Sequence, residues 1–550
     1  MTIKVFSVAE MVAAEKAADA AGHSFATMME TAGRRVAEAI LERHDVAERQ
    51  VLILVGPGNN GGDGLVAGRY LAEAGAIVVF YLFKPRDPVA DENLAQAEAI
   101  GLEILLADYD QRYRVLRHRL RISDFVVDAL LGTGVSRPID GSLAALMEQV
   151  KAGLAEGTTS PQSPALLSVA APPAAPADDG ANPDTGRQPV VIAVDCPSGL
   201  NCDTGDLDSL AIPANLTVTF AGPKRGHFRF PGAAACGELV VADIGIDPGL
   251  PVVAAVTVEL ATPALARTIM PPRPADGHKG TFGTALIAAG SIRYWGAPAL
   301  AARGAFRSGA GLVALAVPQR LRPALAGQFP EAVYGAVTDT DTLGVSTANL
   351  ILTSLKDYDA ILVGPGLGDA GSFMGALLDG LREPSAGETV PPLVVDADGL
   401  NMLGAMTDWP SRLPANAILT PHPGEMARLA GMSLAAVRDA DRVELACDRA
   451  TAWGQVVVLK GAYTVVAAPD GRATLLPFAN AVLAVGGSGD VLAGLIVGLL
   501  AQGIAPYPAA VLGSYLHGAA GQLAGEFWGS AGLLAGELAD WISHVRRALA

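Results

Sequence analysis

Short runs of Val, Ile and Leu recur along this chain, each running into a glycine-bearing turn and then into a helical pattern. Residues 51–55 end in GPGNNGGDG (56–64), residues 124–129 in LLGTG (130–134), residues 190–194 in DCPSG (195–199) and residues 360–363 in GPGLG (364–368). Apolar runs without polar alternation suit strands covered on both faces, and their alternation with helices implies a largely parallel sheet with helices on both sides. All-helical and all-β folds are thereby excluded. Further strands are predicted at 76–83, 215–220 and 238–244, and in the second half at 284–289, 311–317, 393–396, 417–420, 456–459 and 464–468. A helix is predicted at 65–74. The first 45 residues carry apolar side chains at helical spacing with breaks at Gly22 and Gly33, which predicts two or three helices before the first strong strand.

At 550 residues the chain exceeds one ordinary core, since domains usually hold about 100–200 residues. The expected division is 1–261 and 262–550, at the proline clusters of ATPALARTIMPPRP (261–274). Residues 152–188 lack a sustained period and are rich in Ala, Pro, Ser and Asp, so they read as a disordered insertion in the first domain. With 39 basic and 56 acidic residues the net charge of −17 opposes a sequence-independent grip on nucleic acid or anionic lipid. Neither is expected as a partner. Four cysteines without zinc-type spacing, and an amino terminus interrupted by Glu10 and Glu15, point to a cytoplasmic protein without a signal peptide. The most apolar stretch, 491–501, falls short of the ~20 residues that span a bilayer and reads as a buried helix.

Three turns in the first half carry candidate chemistry. A strand–glycine turn–helix junction presents free N–H groups and a positive helix end to phosphate. Gly56, Gly58 and Gly61 fit G-x-G-x-x-G, although the acid expected about 20 residues on is replaced by Phe83-Lys84-Pro85-Arg86. Lys84 and Arg86 read as a solvated basic pair. Asp63, Asp128 and Asp195, with the Asn60 and Ser198 oxygens, stand at strand ends where an open parallel sheet forms its ligand crevice. Such a set suits proton transfer and a hard cation, while each acid taken alone equally fits a helix cap or turn. In the second half, Gly486-Gly-Ser-Gly-Asp490 opens the 491–501 helix: glycine N–H groups can receive a phosphoryl group and Asp490 can take a proton from an attacking hydroxyl. An Asp that merely complements the helix dipole is the plainer alternative.

GNNGGDG, VDALLGTG, VDCPSG and TFAGPKRGHFRFPG together resemble the NAD(P)H-hydrate epimerase domain over roughly residues 1–250. The resemblance implies a Rossmann-like three-layer sandwich that interconverts the R and S epimers of hydrated NAD(P)H. It implies that Asn59, Asn60, Gly61, Gly62 and Asp63, with Gly132, Thr133, Gly134, Val135, Ser136, Arg137 and Pro138, contact the hydrated dinucleotide. It further implies that Asn60, Asp128 and Ser198 hold K⁺, and that Asp195 touches substrate and is the acid/base candidate, with Lys224 as assistant.

HKGTFG, RSGAGLV, VGPGLG, VVDADGLN, LTPHPGE, LKGAYT and GGSGD, in that order over 275–550, resemble the ADP/ATP-dependent NAD(P)H-hydrate dehydratase, which implies a ribokinase-like fold. By the same likeness Ala297, Gly366, His422 and Asp490 touch the hydrated dinucleotide, while Lys460, Gly461, Ala462, Tyr463, Thr464 and Gly489 touch the adenine nucleotide, with Mg²⁺ on its phosphates. The expectation is a bifunctional repair enzyme that uses ADP, or ATP, to phosphorylate the leaving hydroxyl of the S epimer. The fusion of both activities in one chain favours ADP. Hydrated NADH or NADPH and an adenine nucleotide are the expected small-molecule partners, in an assembly of identical chains. The competing expectation is a ribokinase-like small-molecule kinase fused to a noncatalytic Rossmann-like binding module.

Overall fold

The computed structural model describes residues 3–135, 137–156, 188–335, 337–382 and 389–550. The chain separates into two compact units, Lys4–Val256 and Thr257–Ala550, the latter also taking in Ile3.

In the first unit seven parallel strands lie in the order Glu103–Leu106, Ile77–Leu82, Gln50–Val55, Phe125–Ala129, Val190–Val194, Leu216–Phe220 and Glu238–Ala242. The chain starts in the middle, winds to one edge, then restarts beside its first strand and winds to the other. The point of reversal, between Gln50–Val55 and Phe125–Ala129, is where a doubly wound sheet opens its crevice. Side chains alternate across Gln50–Val55. Val51, Ile53 and Val55 join a cluster with the helices Phe25–Leu41 and Asn59–Glu73, while Leu52 and Leu54 join another with Arg114–Ile122 and Gly141–Glu156. That is the expected three-layer sandwich.

Several expectations are corrected. Only residues 56–58 of the glycine motif are a turn, because the helix begins at Asn59 rather than near 65. Its early glycines stay helical through tight packing, as at Gly64, where a Cβ would lie 2.6 Å from that of Ala129. Gly33 is no break either. It lies inside Phe25–Leu41, where a Cβ would collide with Val66 and with the Asp63 carbonyl. Residues 152–156 are the last turn of Gly141–Glu156 instead of insertion, and the remainder of the expected insertion up to 187 lies outside the described residues. The edge strand Glu103–Leu106 is additional.

In the second unit the sheet order runs Val258–Leu260, Ala473–Leu475, Val465–Ala467, Val456–Leu459, Ile418–Leu419, Leu393–Val395, Ala360–Val363, Thr284–Ala288, Leu312–Ala316 and Val333–Tyr334. From Val456–Leu459 to Val333–Tyr334 every pairing is parallel, so the carboxyl ends of these strands share one edge. Residues 456–475 turn back as an antiparallel meander. The proline-rich stretch expected to mark the domain boundary contains the helix Pro263–Ile269, with Thr262 as its N-cap and Pro263 in its first turn, a position where proline lacks no needed N–H. Residues 491–501 are buried throughout, as expected, within the helix Ser488–Ala501. Among the described residues no helix is long and apolar enough to cross a membrane.

Candidate active sites

Four adjacent strand ends of the first unit build one polar cluster. Asp128, the fourth residue of Phe125–Ala129, is fully buried and accepts from the Ser198 N–H at 2.8 Å and the Ser198 hydroxyl at 2.6 Å. Ser198 Oγ accepts from Leu131 N–H at 2.9 Å, and Asn60 Nδ2 donates to the Leu131 carbonyl at 3.0 Å. Asn60, Asp128 and Ser198, far apart in sequence, thus converge on the turn after Phe125–Ala129. Burial raises the Asp128 carboxyl, opposed by the hydrogen bonds from Ser198 and Leu130. Gly132 lies against Asn60, 3.4 Å separating its would-be Cβ from Oδ1. A cavity of about 410 Å³ beside it is lined by Gly132, Gly134, Val135, Arg137 and Pro138. Thr133 belongs to the same turn, and Ser136 lies outside the described residues.

Asp195 follows Val190–Val194 directly and has φ 63°, unusual for a residue with a side chain. Strained backbone of this kind collects at working sites. Its Oδ1 accepts from Lys224 Nζ at 2.5 Å and Thr219 Oγ1 at 2.9 Å, and Lys224 is 1% exposed. Burial alone would raise the Asp195 carboxyl, but the Lys224 charge and hydrogen bond outweigh it, so it stays ionised below the usual range. Lys224 is correspondingly raised, Asp195 outweighing its burial. Asp63, in the first turn of Asn59–Glu73, behaves oppositely: burial, then the charges of Asp195 and Glu15, push it well above the carboxylate range. Neighbouring carboxyls of the cluster are thus pushed in opposite directions, Asp63 upward and Asp195 downward. Asn59, Gly61 and Gly62 share the helix start with Asp63. Glu15 and Thr219 were not foreseen. Glu15 lies in the helix Val8–Ala20 and is itself raised, chiefly by burial.

Arg86 is no solvated cation. Its side chain is 14% exposed, donates to the carbonyls of Gly56 at 2.7 Å and Gly58 at 3.1 Å, and pairs with Asp91. It braces the glycine turn from a second cavity of about 940 Å³ lined by Met29, Glu30, Arg34, Tyr70 and Asn93.

In the second unit the carboxyl ends of four parallel strands carry Gly364, Asp396, Thr420 and Lys460. Lys460 Nζ donates to Asp396 Oδ1 at 2.7 Å and lies 3.7 Å from Glu425 Oε2. Asp490 sits in the first turn of Ser488–Ala501. Burial first, then the charge of Asp396, raises its carboxyl to about 7 despite Lys460. Nothing lies within 4 Å of a Cβ built on Gly486, and at Gly489 the first atom met is Lys460 Nζ, at 3.5 Å. The turn is open toward the lysine. Lys460, Gly461, Ala462, Tyr463 and Thr464 connect the antiparallel strands Val456–Leu459 and Val465–Ala467, with Thr464 Oγ1 donating to the Gly461 carbonyl at 2.9 Å.

His422 caps the helix Pro423–Ala430, its Nδ1 accepting from Gly424 N–H at 2.9 Å. Burial and the Lys460 charge lower its pKa, which keeps the ring neutral. Ala297 opens the helix Ala297–Ser308 beside Gly366, whose Cβ would sit 2.9 Å from that of Ala297. Gly368 N–H donates to Asp398 Oδ2 at 2.9 Å, which ties this loop to the acidic strand end. Asp396, Asp398, Thr420 and Glu425 stand in VVDADGLN and LTPHPGE, yet no role was foreseen for them. An acid directly after a buried parallel strand is the signal that marks Asp396.

Residues 285–544 match the family model described as NAD(P)H-hydrate dehydratase, and residues 26–226 match that of the YjeF-related protein N-terminus. The bifunctional NAD(P)H-hydrate repair enzyme of Moorella thermoacetica is 40% identical over 530 residues, covering 95% of this chain and 92% of that protein. Its counterpart from Thermofilum pendens is 36% identical over 553 residues, covering 100% and 97%. The crystal structure of the ADP/ATP-dependent NAD(P)H-hydrate dehydratase from Bacillus subtilis, co-crystallized with ATP/Mg²⁺, is 33% identical, with a TM-score of 0.45 over 53% of this chain and 98% of that one.

Proposed function

The chain belongs to the bifunctional NAD(P)H-hydrate repair enzymes, and from that premise we propose how its two sites divide the work. It is an NAD(P)H-hydrate epimerase and an ADP/ATP-dependent (S)-NAD(P)H-hydrate dehydratase. We assign epimerisation to the first unit and dehydration to the second.

The observation that carries the first assignment is that two neighbouring buried carboxyls are pushed in opposite directions, Asp63 upward chiefly by burial and Asp195 downward by Lys224. Pairs whose environments push their proton affinities apart are suited to acid and base roles. The hydrate bears its hydroxyl on a ring carbon bonded to nitrogen. Asp63 gives its proton to that oxygen as the C–O bond breaks and the nitrogen lone pair forms the C=N bond. Water returning to the other face yields a proton to Asp195, and a proton passing back to Asp63 closes the cycle. Lys224 keeps Asp195 ionised. The oxygens of Asn60, Asp128 and Ser198 suit a hard monovalent ion, and a cation there would offset the burial that raises the Asp128 carboxyl. K⁺ would be held by these residues and would fix the turn carrying Gly132–Arg137 against the substrate. Such a set speaks against a noncatalytic module.

In the second unit Asp490, half-ionised near neutrality, is matched to removing a hydroxyl proton. The hydroxyl oxygen attacks the terminal phosphorus of the nucleotide as the bridging P–O bond breaks and the shortened nucleotide, AMP from ADP, departs; the ring nitrogen lone pair then expels inorganic phosphate with the electrons of the C–O bond. Loss of a proton from the neighbouring ring carbon then restores the dihydronicotinamide. The Gly486–Gly489 turn and Lys460 receive the phosphoryl oxygens. Mg²⁺ would be held by the nucleotide's phosphates and would neutralise part of their charge. ADP is the proposed donor. A cytoplasmic site of action accords with a chain of only four cysteines, three of them buried.

The test is to incubate the protein with mixed R and S hydrated NADH plus ADP or ATP and follow NADH absorbance. Consumption of both epimers supports the scheme. Consumption of S alone shows the first unit to be inactive, and recovery of no NADH rejects the assignment.

A further inference from the structure

Asp396 is 1% exposed, and its Oδ1 accepts from both the Thr420 hydroxyl and the Lys460 ammonium, each at 2.7 Å. Its backbone is equally confined. A side chain at Gly364 would collide with the Asp396 carbonyl, and the next residue, Ala397, has φ 51°. A carboxylate this deep is costly unless paired, and the ammonium it pairs with lies 3.5 Å from where a Cβ on Gly489 would stand. A second carboxylate, Glu425, is 5% exposed and holds the same ammonium at 3.7 Å, while its Oε2 accepts from the His422 N–H at 2.8 Å. Lysine is otherwise a flexible point charge. Here three neighbouring strand ends fix it.

We propose that Asp396 is a positioning residue for phosphoryl transfer, holding Lys460 Nζ beneath Gly489 where the terminal phosphoryl oxygens of the adenine nucleotide are received. This rests on the dehydratase assignment above and adds to it a residue that never touches substrate. A mere staple between strands would need no lysine pointing at an open glycine turn. Asp396 also faces Asp490, together with Asp398, Glu425 and Lys460. His422 and His517, which feel Lys460 too, are lowered chiefly by burial and stay neutral.

The experiment compares wild type with Asp396→Asn and Thr420→Val, reading ADP, ATP and adenosine affinity by calorimetry and (S)-hydrate dehydration against pH. Asp396→Asn weakens ADP and ATP binding about tenfold or more, leaves adenosine unchanged, lowers kcat by about tenfold to a hundredfold and shifts the acid limb downward by about one pH unit, since a negative charge beside Asp490 is lost. Thr420→Val weakens ADP and ATP binding less and leaves the limb in place, because the charge remains. If Asp396→Asn fails to fold, Thr420→Val alone decides, unchanged ADP affinity overturning the proposal. Equal loss of adenosine and ADP affinity, or wild-type ADP affinity and pH profile in Asp396→Asn, also overturns it. A wild type that binds ADP but does not dehydrate the hydrate rejects the dehydratase assignment instead, and leaves the Lys460 geometry standing on the binding data.

Discussion

Both units place a buried lysine on an aspartate at the carboxyl ends of parallel strands, and they use it differently. In the first, Lys224 bonds Asp195 directly and holds it low, while Asp63 nearby is pushed well up, chiefly by burial. In the second, Lys460 is shared by Asp396 and Glu425, and burial, then the charge of Asp396, raises Asp490 to about 7 despite it. Burial raises the acid in both units, and contact with the lysine decides which carboxyl is pulled back down. In the first unit this leaves a base beside a separate acid, and in the second a group poised at neutrality.

The sharpest break of this contrast is Asp490→Asn, which removes the poised group. Dehydration should fall by about 10²–10⁴-fold, the usual contribution of a general base, while R/S exchange followed by chromatography of the hydrates is retained. Loss of both activities would mean that the two sites are not independent. Next is Lys224→Met, which leaves Asp195 buried without its partner and should lower stability by about 3–5 kcal/mol in urea unfolding. Asp195 is lowered in the fold, so its contribution is present above the ordinary carboxylate range and vanishes as pH falls through its folded value. Lys224 is raised, so its contribution is lost as pH rises through its own folded value. The gap between variant and wild type should therefore narrow at both extremes. Gly33→Ala, which pushes Phe25–Leu41 off the helix carrying Asp63, should cost about 1–3 kcal/mol of stability and slow epimerisation with dehydration unchanged. Smallest is the pH effect on the second unit. The dehydration rate should drop about tenfold per unit below about 7. Because a raised carboxyl binds its proton more tightly in the fold, Asp490 should make stability fall as pH rises from about 3.8 to about 7, visible as a declining unfolding midpoint. An activity profile flat through neutrality would remove Asp490 from the base role.

The buried parallel strands were legible because a strand covered on both faces has no reason to alternate, and Val190–Val194, Ala360–Val363 and Val456–Leu459 are met to the residue. Edge and very short strands such as Glu103–Leu106 and Ala473–Leu475 bury too little to leave such a run. Glycine misled in one direction: at Gly33 and Gly61–Gly64 it serves close helix packing, which local pattern cannot tell from a turn. Asp63, Asp195 and Asp490 were visible as acids beside glycine turns. The partners that set their proton affinities were not, because Glu15, Thr219, Asp396 and Glu425 reach the sites only through the convergence of elements remote in sequence. His422 shows both sides, since the residue expected at the substrate is also the cap of its own helix.

Helix Ser488–Ala501 touches Ala297–Ser308 backbone to backbone. Cβ atoms at Gly304, Gly494 or Gly498 would strike, respectively, the Val491 carbonyl, the Ala301 carbonyl and the Ser308 hydroxyl. The mount of Asp490 therefore has no slack. Over evolutionary drift these three positions are closed even to alanine although none belongs to the site, so a catalogue of inactivating mutations in this chain should include glycines one to three helical turns away from the acid they support.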